Sequence, residues 1–158
     1  MIFVTVGTSL PFDRLVRAAD ALAPDLPETP FFAQIGSGAY VPSHMAFAAM
    51  LALPEYTELM QGARLIIAHA GMGSLITAIE AGKPIVIVPR RVAYDEINTD
   101  HQLATAKRWV GKRGVHVAMD EAALGEAVRS ALTEADSGQP LTPTPGFLDK
   151  IRSLVERG

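Results

Sequence analysis

The 158-residue sequence contains no cysteine. That removes disulfides, thiolate metal sites and a cysteine nucleophile together. It has no long apolar run: the longest, residues 45–53, is nine residues, against the roughly 18 of a membrane span. The opening MIFVTVGTS has no basic region ahead of its apolar residues, so no signal peptide is expected and a cytoplasmic protein fits. A strong basic excess is also missing, with a net charge of -3, which argues against nucleic acid as a partner. No GxGxxG follows the first strand-like run and no GxxxxGK[ST] occurs, which disfavours a dinucleotide dehydrogenase and a P-loop NTPase. No carboxylate–histidine cluster is visible, so no metal site is expected. Internal repeats and long low-complexity linkers are absent as well.

What is present fits one folded domain. Hydrophobic residues make up 49% and charged residues 20%, ordinary for a chain that builds its own core. Charge is unevenly spread. Residues 1–64 carry three basic against six acidic side chains, 65–119 seven against four, and 120–158 four against seven. A positive middle third suits a small anionic ligand.

Short, nearly continuous apolar runs at 2–6, 31–35, 65–68, 85–88 and 115–118 read as buried strands. Helical spacing appears over 12–22, 56–60, 74–81, 98–110 and 121–132, while 45–51 suits either a strand or a buried helix. A Pro/Gly-rich connection over 137–146 then leads to an expected last helix at 147–156. Strands alternating with helices predict an α/β fold, a single Rossmann-like domain with a parallel sheet covered by helices on both faces. Such sheets bind ligands beyond the carboxyl ends of their strands. The segments 7–12, 36–43, 69–74 and 89–99 are expected on that edge.

Gly71-Met72-Gly73-Ser74 follows a strand and opens a helix. A helix start offers unpaired N–H groups and a positive dipole end to an anion, and glycines admit it closely. Ser74 would either cap the helix or give its hydroxyl to a phosphate. A tight turn with no ligand is the alternative. Asp100-His101-Gln102 would open another helix, with Thr99 or Asp100 as its cap; His101 is expected to contact the substrate or, alternatively, to point to solvent. His69 ends the strand before the glycine turn, as a site residue or a structural histidine. His44 and His116 are expected at the surface. Arg90 and Arg91 end a strand on the ligand edge and could pair bidentately with a carboxylate or phosphate; a solvated loop or a subunit contact is the alternative. Lys107, Arg108, Lys112 and Arg113 are read as an exposed helix end, or as a contact for anionic lipid.

The motifs "VTVGTS", "QIGSGAY", "HAGMGS…AGKPIVIVPRR" and "DHQLATAKR", in that order over residues 2–118, resemble the nucleotide-sugar-binding half of GT-B glycosyltransferases. The sequence is most similar to family 28 C-terminal domains. Among these it resembles the small subunit of two-subunit enzymes, which act on polyprenyl-diphosphate-linked sugars, and its wording is nearest the bacterial exopolysaccharide branch. The resemblance implies a nucleotide-sugar-binding domain over 1–136, with 137–158 as connection and C-terminal helix. It implies UDP diphosphate on the backbone of Gly71, Met72 and Gly73 and the hydroxyl of Ser74, and sugar hydroxyls on Asp100 and Gln102. It also implies that Gly7, Thr8 and Ser9 face the cleft. Thr77 stands where many relatives have a ribose-binding glutamate.

The expected function is therefore a UDP-sugar-binding catalytic subunit that transfers a sugar to a polyprenyl-diphosphate-linked acceptor, with glucuronic acid suggested by Arg90 and Arg91. UDP-sugar is the donor substrate and no cofactor is expected. The expected partner is a membrane-associated, acceptor-binding subunit, through which the protein sits peripherally at the inner face of the membrane. No side chain stands out as general base; His69 is the candidate, or the base lies on the partner. A non-catalytic regulatory module and a free-standing homodimeric transferase are the alternative functions.

Overall fold

The apolar runs become parallel strands. A computed structural model describes residues 1–137, and the expected connection and helix beyond them lie outside the described residues. The strands are β1 (Ile2–Thr5), β2 (Phe31–Gln34), β3 (Ala46–Ala48), β4 (Leu65–His69), β5 (Ile85–Val88) and β6 (Val115–Val117). They form one sheet in the order β3-β2-β1-β4-β5-β6, every neighbouring pair parallel. Ile2 pairs with Phe31 on one side and Leu65 on the other.

Continuous hydrophobicity is explained by burial on both faces. Ile2, Val4, Leu65, Ile67, Val86 and Val88 point into one core. The residues between them (Phe3, Ile66, Ala68, Ile85 and Ile87) point into the other. Helices α1 (Asp13–Leu22) and α5 (Leu124–Asp136) cover the first face through Leu15, Ala19 and Leu22 and through Leu124, Val128 and Ala131. Helices α2 (Leu53–Gly62), α3 (Met72–Glu80) and α4 (His101–Trp109) cover the second through Met60, Leu75, Ile79, Ala106 and Trp109.

Several boundaries differ from expectation. The apolar segment 45–51 yields only a three-residue edge strand, because β2 alone binds it, through amides such as those of Ile35 and Gly36. Helix α2 starts earlier than residue 56, with Pro54 in its first turn, where a missing N–H costs nothing. Helix α4 starts at His101 rather than 98, since the Asp100 carboxylate accepts a hydrogen bond from the Val92 amide instead of capping the helix. Residues 121–123 form a short 3-10 turn before α5. His116 is half-buried and bonded to Glu134 rather than lying at the surface.

Because all strands are parallel, the turns after them share one edge. The chain runs outward from β1 to β3 and then outward again from β4 to β6, so direction reverses between β1 and β4. The crevice beyond such a reversal is where open α/β sheets take their ligands.

Candidate functional site

A cavity of about 500 Å³ opens at that reversal. Its floor is His69 and Arg90; the first loop (Gly7, Thr8, Ser9) forms one wall and α3 (Gly73, Ser74, Thr77) another. Leu51, Leu53 and Tyr56 close its apolar end, and Gln34 reaches it from β2.

The two glycines of the turn have different jobs. A Cβ on Gly71 would stand 2.1 Å from His69 Cε1 and 2.8 Å from both ring nitrogens. A Cβ on Gly7 would stand 2.7 Å from Nε2. The imidazole therefore fits only because both residues lack side chains. Gly7 also takes φ +79, in the left-handed region that glycine occupies without strain. Around Gly73, by contrast, a Cβ would meet nothing within 4 Å. Gly71 makes room for a residue of the protein, and Gly73 leaves room for something else.

Helix α3 begins at Met72, and its first backbone bond runs from Leu75 to Gly71. The amides of Met72, Gly73 and Ser74 therefore have no acceptor within the helix and carry its positive dipole end. Ser74 is buried in the first turn rather than at the cap, and lines the cavity together with Tyr56. Burial pushes the Tyr56 phenol's pKa up, and the neighbouring Ser74 hydroxyl acts in the opposite direction.

Arg90 is 3% exposed, too deep for a solvated loop residue. One guanidinium nitrogen lies 2.9 Å from His69 Nδ1; another donates to the carbonyls of Val6 at 2.7 Å and Leu10 at 2.6 Å. The guanidinium also lies over the Phe12 ring, 5.0 Å from its centroid. Burial draws the Arg90 pKa down, while the charge of Glu96 acts to raise it. Burial, and secondly the Arg90 charge, push His69 down to about 4. At neutral pH the cavity thus has an uncharged imidazole and a buried cation in its floor. Among its lining residues there is no carboxylate. That combination of fixed positive charge, helix start and open glycine is chemically suited to an anion.

The family 28 glycosyltransferase C-terminal domain matches residues 1–145. The chain belongs to that family. It is 34% identical over 119 residues to the UDP-N-acetylglucosamine transferase subunit ALG13 of Homo sapiens, covering 68% of this chain and 10% of that protein. It thus spans about a tenth of that relative's length. The NMR solution structure of ALG13 superposes with a TM-score of 0.62 at 17% identity, covering 97% of this chain and 93% of that one. Os79 from O. sativa, in complex with UDP, gives a TM-score of 0.58 at 16% identity, over 99% of this chain and 40% of that one. These two likenesses are of fold, a Rossmann-like half of the GT-B architecture.

Within this family 28 domain, Gly7, Thr8, Ser9, Gly73, Ser74 and Thr77 meet in the cavity with His69 and Arg90. Met72 turns its side chain into the core, leaving its amide at the helix start. Thr77 donates its hydroxyl to the Gly73 carbonyl at 2.8 Å, a bond along its own helix. Gln102 stands behind the floor: it is buried, its Oε1 accepts from the Arg90 amide at 3.0 Å, and its Nε2 lies 3.3 Å from His69 Nδ1. Arg91, Asp100 and His101 are not among the residues lining the cavity. The Arg91 amide donates to Glu96 and its guanidinium lies over Tyr94. His101 is bonded to Thr99 at the surface.

Sequence reasoning missed the supports of this domain's loops. Arg14 grips Glu96 with two nitrogens at 2.9 Å and donates to the Pro89 carbonyl, pinning the segment after β5 to α1. Asp20, 1% exposed, accepts from Tyr40 and from the amides of Ser43 and His44, pinning the segment after β2. Burial acts to raise the Asp20 pKa, but these bonds outweigh it and hold the carboxyl below its ordinary value. An aspartate on the otherwise apolar buried stripe of α1 was the available signal. Among the described residues no group of three or more His, Asp or Glu is placed to hold a metal.

Proposed function

We propose that this chain is the donor-binding half of a UDP-sugar glycosyltransferase and acts with a second, acceptor-binding subunit. The observation that carries the reading is the cavity at the sheet's reversal, where an open glycine, a helix start, an imidazole N–H and a buried arginine converge. UDP leaves with its electron pair as the acceptor hydroxyl attacks the anomeric carbon and the bond to the diphosphate oxygen breaks. The α3 amides, the His69 N–H and the Arg90 charge stabilise the negative charge that develops on UDP, without a metal or other cofactor.

His69 serves poorly as the general base, since Arg90 occupies Nδ1 and the ring proton is on Nε2. With no carboxylate in the cavity lining, the base comes from the partner. No helix among the described residues is long and apolar enough to cross a membrane. Attachment at the cytoplasmic face is assigned to that partner from the resemblance to two-subunit enzymes. The acceptor is proposed to be lipid-linked from the same resemblance, while ALG13's name, a UDP-N-acetylglucosamine transferase subunit, supports the UDP-sugar and subunit parts of the reading. Exopolysaccharide as the product rests on motif wording alone. Glucuronic acid as the donor loses the contact that suggested it, because Arg90 is bonded inside the protein and Arg91 is outside the lining.

The test is transfer from UDP-N-acetylglucosamine, UDP-glucose and UDP-glucuronic acid to a polyprenyl-diphosphate sugar. This chain would be assayed alone, with membranes holding the co-expressed partner, and with those membranes lacking this chain. Turnover only when both are present is expected. Full turnover by the purified chain overturns the two-subunit reading. UDP binding with no transfer under any condition favours a regulatory module instead.

A further inference from the structure

A guanidinium can only donate hydrogen bonds, so each group it touches must accept. Arg90 touches His69 Nδ1 at 2.9 Å, and Gln102 Nε2 offers a second donor to the same nitrogen at 3.3 Å. The orientation of the Gln102 amide is itself fixed, because its Oε1 accepts from the Arg90 backbone. Nδ1 is therefore a lone pair facing two donors, and the ring proton is on Nε2. That nitrogen lies against Gly7, beside the cavity. The other arm of the same guanidinium holds the carbonyls of Val6 and Leu10 at either end of the first loop. A lysine ammonium lacks the planar fork that spans these acceptors.

We propose that Arg90 is a positioning residue, which locks the proton of His69 on Nε2 and clamps the first loop so that ring and loop meet a bound diphosphate as one fixed unit. The inference deepens the donor-site reading above and rests on it. Arg90 acts through His69 and the loop rather than through a donor-sugar contact.

The other titratable groups near His69 are few. Among the described residues, α2 contributes Tyr56 to the cavity and the segment after β5 contributes Arg90, with Glu96 behind it, whereas the first loop, α3 and α4 face it with uncharged groups. A pH-dependent change in binding therefore reports chiefly on His69.

Two measurements on the full chain decide the matter. Nitrogen-15 NMR of the imidazole in the free wild-type protein should show a single neutral tautomer with hydrogen on Nε2. A proton on Nδ1, or rapid exchange between the two tautomers, would overturn the proposal whether or not any variant folds. Calorimetry then follows UDP-N-acetylglucosamine, whose diphosphate keeps its charge, between about pH 7.5 and about pH 5.5, which brackets the ordinary histidine value. Wild-type affinity should change by less than about twofold, because His69 stays neutral. In Arg90→Met burial still lowers the ring's pKa but the second cause is gone, so the Nε2–H preference should loosen in the same ring spectrum. Affinity should rise toward the lower pH, by up to about fivefold where the ring charges, the ~1 kcal/mol gained when a hydrogen bond becomes charge-assisted. Equal weakening of the variant at both pH values, with its ring still held in the Nε2–H tautomer, would leave Arg90 as a loop clamp only and overturn the proposal. Failure of the wild type to bind any UDP-sugar would overturn the proposed function instead, and the ring spectrum would still decide the tautomer.

Discussion

Alanine at Gly73 and alanine at Gly71 should shift stability in opposite directions. Gly73 lies in the first turn of α3, and a methyl there meets nothing within 4 Å. Replacing a helical glycine by alanine stabilises by about 0.5–1 kcal/mol, or a rise in Tm of roughly 1–4 °C for a chain of this size. The same methyl holds a diphosphate away from the helix amides. Losing one charge-assisted hydrogen bond is about 1.5–3 kcal/mol, which weakens UDP binding roughly 10- to 150-fold. At Gly71 the methyl would lie 2.1 Å from His69 Cε1, so the ring must leave its place and the Arg90 bond with it. That bond and an off-rotamer ring together come to about 2–4 kcal/mol, a fall in Tm of roughly 5–15 °C. Scanning calorimetry gives the first quantity and titration calorimetry with UDP the second. A Gly73→Ala protein that binds UDP as tightly as wild type would refute diphosphate binding at this turn. A Gly71→Ala protein with unchanged Tm would refute the packing of His69 against it.

Glu96→Gln should destabilise by about 2–3 kcal/mol in urea unfolding, because the Arg14–Glu96 pair is nearly buried, at 12% and 10% side-chain exposure. Glu121→Gln, whose carboxylate is 50% exposed on the same arginine, should cost under about 1 kcal/mol; equal losses would mean the bidentate pair does not hold the loop. Asp20 has a folded-state pKa below its unfolded value, so its contribution is complete above about pH 4 and is lost as pH falls through the folded value. Asp20→Asn should flatten the acid limb of stability below about pH 4, and an unchanged acid limb would show that Asp20 is not the group responsible.

Much of this architecture was legible in residue order alone. Continuously apolar runs separated by helical spacing specify parallel strands buried on both faces, since exposure of either face would have required alternation. The glycine turn between a strand and a helix pointed to the edge where the cavity opens. The three-residue strand β3 was not legible, because a short apolar segment fits a strand or a buried helix equally and only pairing with β2 decides. The roles of Arg90 and Gln102 were hidden more deeply. Both side chains look like ligand contacts on a loop edge, and locally nothing opposes that. Closing the sheet brings the Val6 carbonyl, 84 positions away, and His69, 21 positions away, within reach of the Arg90 guanidinium. Residue order therefore determined the fold class and the edge that carries the site. Tertiary structure alone decided which polar groups face the cavity and which are bonded behind it, because a buried donor takes whichever acceptor the fold places beside it, however distant in the chain.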